Sequence, residues 1–201
     1  MKTNKELRAQ ALASLKGNWG PAVLLSLILL AISGVSSFVP GVSLIVSILV
    51  SLPLSVGVYE AFRRLVLGEK VQLIDYSFNL GFNNWKHNVL VMLLMTIYTM
   101  LWSLLLIVPG IIKSLSYALT PYIVAEKPEL SANESIELSM KMMDGHKMDL
   151  FLIILGFLGL AVLSIFTLCI GYLWLAPYMY AKMAAFYEDV KAEYESKNVA
   201  A

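Results

Sequence analysis

The residues of this chain whose types and spacing best suit chemistry are Lys113, Ser116 and Tyr117. Three and four positions apart, they set an ammonium, a hydroxyl and a phenol on neighbouring positions of one helix. Such a trio can hold a phosphate or another anion. Two readings stand side by side for Lys113: a lysine that snorkels toward an interface along its methylene stem, or a contact for an anion or a lipid phosphate at the outer leaflet. Pro53, Pro121 and Pro177 form a second group. A proline inside a helix frees a carbonyl and kinks the helix. Kinked helices can line a pathway, and prolines also shape packing in membrane helices. His87 and His146 are the only histidines. Asp144, His146 and Asp149 stand close in sequence, but one imidazole and two acids in a polar turn are ordinarily solvated, and no metal-ligand spacing surrounds them. No metal and no cofactor are expected. With no nucleophile–base pair and no phosphate-cradling loop, a non-enzymatic protein is expected.

The elements that carry these groups are apolar. Four blocks, residues 21–39, 42–59, 89–108 and 150–170, and two shorter ones, 111–125 and 172–185, dominate the chain. A helix that crosses a bilayer needs roughly 20 mostly apolar residues. Hydrophobic residues make up 59% and charged residues 14%, against about 25% charged in soluble domains, so lipid must solvate much of the surface. The expected fold is all-α: a polytopic membrane protein with six transmembrane helices in a single membrane domain, residues 1–201. The first block reads as a retained span, because the 19 residues before it form a patterned segment longer than a signal-peptide leader. A net charge of +1 gives no footprint for nucleic acid. Cys169, the one cysteine, makes no intrachain disulfide and is expected to pack.

Placing the charges orients the spans. In a six-span arrangement every basic residue except Lys113 falls on one side, and so do all 14 acidic residues. Lysine and arginine mark the cytoplasmic face, so both termini are expected in the cytoplasm of a multi-pass cell-membrane protein. Glu60 and Glu126 end their spans on that side, where they are expected to face water or to pair with Arg63, Arg64 or Lys127. The opposite connections, residues 36–43, 108–112 and 167–171, carry no charge and read as tight hairpin turns.

The charged side repeats itself. Thr3-x-x-Glu6, Glu69-x-x-Gln72 and Ser131-x-x-Glu134 fall in register after shifts of 66 and then 62 residues, and each leads to Asn18-Trp19, Asn84-Trp85 or His146-Lys147. Thr or Ser with Glu three residues later is a capping box; the middle copy is weaker. Apolar residues then follow at helical spacing, as in Leu7, Ala11 and Leu15. Each copy reads as a short amphipathic helix, at the membrane interface or folded against the bundle. Asn18, Asn84 and His146 are expected to cap the spans that follow. The expected architecture is therefore three parallel helical hairpins, each preceded by a short amphipathic interfacial helix, in units of about residues 3–67, 69–126 and 131–190 around a pseudo-threefold axis.

The stretches Leu15-x-Gly17-Asn18-Trp19, Val108-Pro109-Gly110-Ile111-Ile112-Lys113 through Pro121-Tyr122, Leu130-Ser131-Ala132 through Gly145-His146-Lys147, and Pro177-Tyr178 to Ala185-Phe186-Tyr187 resemble a family of bacterial integral membrane proteins, Domain of Unknown Function nine-seven-five. That resemblance implies six spans in a bacterial membrane and brings no activity with it. The expected role is non-enzymatic binding of membrane lipids, of a protein partner or of further copies of the chain. The alternative is a transporter or channel with the kinked second spans, at Pro53, Pro121 and Pro177, lining a central pathway.

Overall fold

A computed structural model describes residues 2–37, 42–167 and 170–199, and among these every regular element is helical. In chain order they are α1 (Asn4–Leu15), α2 (Trp19–Ser37), α3 (Val42–Val46), a π-helical stretch (Ser47–Ser51), α4 (Leu52–Val66), α5 (Leu73–Asn83), α6 (Trp85–Leu105), α7 (Ile107–Tyr117), α8 (Thr120–Glu126), α9 (Ala132–Met142), α10 (Lys147–Ile165) and α11 (Tyr172–Val199). Four stretches are long and apolar enough to cross a bilayer: Ser43–Val66, Trp85–Leu105, Ile107–Glu126 and Lys147–Ile165. A fifth is counted if α1 and α2, bent by 96° at their junction, are taken together. The expected all-helical membrane class thus has four to five such stretches, rather than six, on length and composition. Pro40, Gly41 and Cys169 lie outside the described residues.

Local chemistry sets most of the helix ends. Thr3 and Ser131 each accept from the backbone N–H of the glutamate three residues on, while Glu6 and Glu134 accept from the cap residue's own N–H. Those hydrogen bonds hold both carboxyls below the usual carboxylate range. The middle copy differs: α5 starts three residues later, at the uncapped Gln72, and Glu69 pairs with Arg64, 3.1 Å away. Asn84 and His146 occupy N-cap positions without a side-chain cap, and Asn18 donates to the Ser14 carbonyl instead, so the expected capping by these three side chains is not made. The connection expected at 108–112 is helical: the break falls at Leu106, in extended backbone, and α7 begins before Pro109. A proline in the first turn costs a helix nothing, since its missing N–H would be unpaired there.

The core forms where α4, α8 and α11 meet. Leu54, Val58, Ala61 and Phe62 of α4, Tyr122 and Ile123 of α8, and Ala181, Ala184 and Ala185 of α11 are buried there with Leu119. The short amphipathic helices fold against these three, the second of the two placements open to them: α1 lies on α11, α5 on α4 and α9 on α8. α6 and α10 leave most of their length exposed. α5 runs antiparallel to α4 at backbone contact. A Cβ on Gly57 would stand 1.9 Å from the Ser77 carbonyl oxygen, and one on Gly81 would stand 2.9 Å from the Pro53 carbonyl oxygen.

Gly57→Ala should therefore force α4 and α5 apart and cost about 3 kcal/mol. Gly156→Ala, where an added Cβ meets nothing within 4 Å, should leave stability unchanged. Thermal unfolding of both variants in detergent checks the contrast.

Candidate functional site

Three acids end up beside one another on the three core helices: Glu60 of α4, Glu126 at the end of α8 and Glu188 of α11. Arg63 reaches all three. Glu60 and Arg63 are three residues apart on one helix face, and an Arg63 Nη1 donates to both Glu60 oxygens at 3.1 Å. Nη2 lies 3.3 Å from Glu126, and Nε donates to Glu188. A planar guanidinium with five N–H donors can serve three carboxylates in this way, where the compact ammonium of lysine could not. Arg64 Nε adds a third bond to Glu60 at 3.1 Å. Lys191 binds Glu126, and the Tyr187 hydroxyl donates to the same carboxylate at 2.6 Å. Glu60, Glu126 and Glu188 thus meet Arg63, Arg64 and Lys191, and the same network extends to Glu69 through Arg64. Glu60 is 2% and Arg63 8% exposed, so neither could stay charged without the others.

Aromatic rings lead away from this junction. Tyr187 stacks on Tyr122 at 4.6 Å between centroids, Tyr122 meets the edge of Tyr59 at 5.1 Å, and Tyr59 meets Tyr180 at 5.5 Å. Tyr59 and Tyr180 then face a cavity of about 310 Å³ between α2, α4 and α11, lined also by Ser26, Leu29, Tyr172 and Met183. Its wall is apolar with hydroxyls set into it. Tyr122 Oη and Thr120 Oγ1, both on α8, are buried without a hydrogen-bond partner.

The residues singled out in the sequence are spread over other places. Lys113 lays its ammonium 5.0 Å from the centre of the Trp102 ring and 3.8 Å from Met140 Sδ. Tyr117 lies on the same side of α7, along a shallow groove with Thr96, Thr99 and Ser103 of α6. Ser116 also meets α9: its hydroxyl donates to the Ile112 carbonyl, and its carbonyl accepts from Ser139 Oγ, each at 2.8 Å. Lys113 thus reaches α6 through Trp102 and α9 through Met140, while the Ser116 hydroxyl is spent on its own helix.

Pro121 is no mid-helix kink but sits in the first turn of α8, after a break at 118–119. Pro53 opens α4 directly after the π-helical stretch. Within that stretch the Leu49 carbonyl accepts the indole N–H of Trp85 at 2.8 Å. Pro177 alone lies inside a helix. His146 stands 3.4 Å from Glu193 and 3.8 Å from Asp149, and among the described residues no group of three His, Cys, Asp or Glu could hold a metal ion.

Sequence reasoning reached the pairing of Glu60 and Glu126 with Arg63 but missed Glu188, Lys191 and Tyr187. Lys182, counted in the sequence only among the basic residues of one side, is buried. A signal for the junction was present: Glu60, Glu126 and Glu188 are separated by the same 66 and 62 residues that align the caps.

Several long apolar helices around one ion-paired junction define a helical protein of a kind compatible with a membrane. The chain belongs to the family of proteins of unknown function (DUF975), whose model matches residues 41–194. No curated protein and no solved structure matches it.

Tyr187→Phe removes a hydrogen bond to a partly buried carboxylate and should cost about 2 kcal/mol, read as a lowered unfolding temperature in detergent with helix content unchanged by circular dichroism.

Proposed function

We propose that the chain is a six-span cell-membrane protein with both termini in the cytoplasm, built from three units over about residues 3–67, 69–126 and 131–190, and that it binds membrane lipid without catalysing a reaction. Six spans are supported by the four apolar stretches together with α2 and the first, apolar half of α11. The cytoplasmic termini follow from the lysine and arginine count. Three units are supported by the packing order: each unit's short helix lies on the second span of the unit before it, and α1 of the first lies on α11 of the last. In lipid, the exposed apolar faces of α6 and α10 are solvated rather than costly.

Lipid binding rests on the cavity between α2, α4 and α11. It lies within the range of small-molecule sites, roughly 300–1,000 Å³, and it combines apolar walls with tyrosine and serine hydroxyls. The axis where the second spans meet is filled by Phe62, Tyr122, Ile123 and Leu119, which argues for binding rather than passage. The transporter reading draws its support from the broken second spans, since π-helical stretches are frequent at functional sites.

Protein extracted in mild detergent should retain lipid detectable by native mass spectrometry. Ala176→Phe, which fills the cavity wall, should reduce that lipid several-fold, and proteoliposomes should show no solute flux. Unchanged lipid in the variant, or flux in the unmodified protein, contradicts the proposal.

A further inference from the structure

Lys182 of α11 is buried, with 6% of its surface exposed, and among the described residues no acid pairs with it. Its ammonium lies 5.3 Å from the centre of the Phe157 ring and 6.0 Å from that of Tyr178. Those ring faces offset part of the desolvation cost but carry no net charge. The acids nearest along α11 are engaged elsewhere: Glu188 holds Arg63, and Asp189 accepts from the Lys2 backbone N–H at 2.6 Å.

The charge that acts on Lys182 is another cation, Arg8 of α1. The antiparallel course of α1 and α11 explains the meeting. Lys2 is anchored at Asp189, and six residues along α1 and seven back along α11 both travel about 10 Å, which brings Arg8 alongside Lys182. Arg8 is exposed and, among the described residues, makes no ion pair. A buried ammonium without a counter-ion bears a desolvation cost that an anion seated beside it would offset.

The packing itself does not require these charges. In the register that aligns Glu60, Glu126 and Glu188, the position of Lys182 is filled by Leu54 and Thr120, and that of Arg8 by Ile74 and Ile136. Only the α1–α11 contact carries cations at both positions. We infer that Arg8 and Lys182 form a binding site for a phosphate-bearing anion, seated between α1 and α11 against Phe157. The site is separate from the cavity: residues 178 and 182 lie on a different face of α11 from Ala176, Met179 and Met183. In the proposed topology it sits about 9 Å from Glu188 along the helix, at the depth of headgroups in the cytoplasmic leaflet. A lipid phosphate and a free phosphate offer the same chemistry.

The test is thermal unfolding of the full chain in uncharged detergent, with added phosphatidylglycerol, phosphatidylcholine or inorganic phosphate. Phosphatidylglycerol at a hundredfold excess over Kd should raise the unfolding temperature by roughly 5–10 °C, and phosphatidylcholine should not. Lys182→Leu, which places the side chain of Leu54 in the same register, should fold and lose the shift. Arg8→Gln, on an exposed position, should weaken it about tenfold in lipid concentration. A matching rise with inorganic phosphate identifies the free anion as sufficient, and a rise with the anionic lipid alone identifies the headgroup. The inference is overturned if neither anion exceeds phosphatidylcholine, or if the shift survives in both variants. That failure would leave the cavity reading intact, because Ala176→Phe reports on it separately.

Discussion

Arg63 is the residue on which the helix arrangement turns. Its guanidinium joins α4, α8 and α11 at once, through Glu60, Glu126 and Glu188. Taking charges out of water is costly and is repaid only when each finds its partners in good geometry. The junction therefore works as a positional lock. The three helices cannot slide or rotate far against one another without stranding a buried carboxylate. Packing alone would specify this less sharply, because Ala181, Ala184 and Ala185 present a smooth face of small side chains along α11.

With that lock in place, the rest of the molecule follows from closure. α5 is seated on α4 by the Gly57–Ser77 and Gly81–Pro53 backbone contacts, α9 on α8 through Ser139, and α1 on α11 through Lys2 and Asp189. The first short helix thus completes a ring that the last long helix would otherwise leave open. Tyrosines connect the ion-pair junction to the cavity to which lipid is assigned. Arg8 and Lys182 then fall on the seam where the ring closes, the contact made between the two ends of the chain.

What the sequence made legible was local. The capping boxes at Thr3 and Ser131, and the apolar blocks, depend on neighbours within a turn or two, so they could be read directly. Boundaries that depend on proline position were misread: Pro109 and Pro121 sit in first turns, where they cost nothing, and the helix breaks fall just before them. The second half of α11 reads as a polar tail because its charges are only explained by partners far away in the chain. Glu188 needs Arg63, Lys191 needs Glu126, and the burial of Lys182 needs α1 and α10 packed over it. The equal spacing of the three glutamates carried that information, but it gains meaning only once three helices converge. Lys113, conspicuous as a lone charge in an apolar run, has an indole face within reach one helix away, which no spacing rule within its own helix reveals.

The most direct test compares Arg63→Met with the same change made alongside Glu60→Gln, Glu126→Gln and Glu188→Gln, each unfolded thermally in detergent. If one guanidinium bridges the three converging carboxylates, the single change costs about 3–5 kcal/mol, and removing the three charges returns at least half of that loss. A single variant within about 0.5 kcal/mol of the unmodified protein, or a neutralised background that is less stable still, would contradict the account.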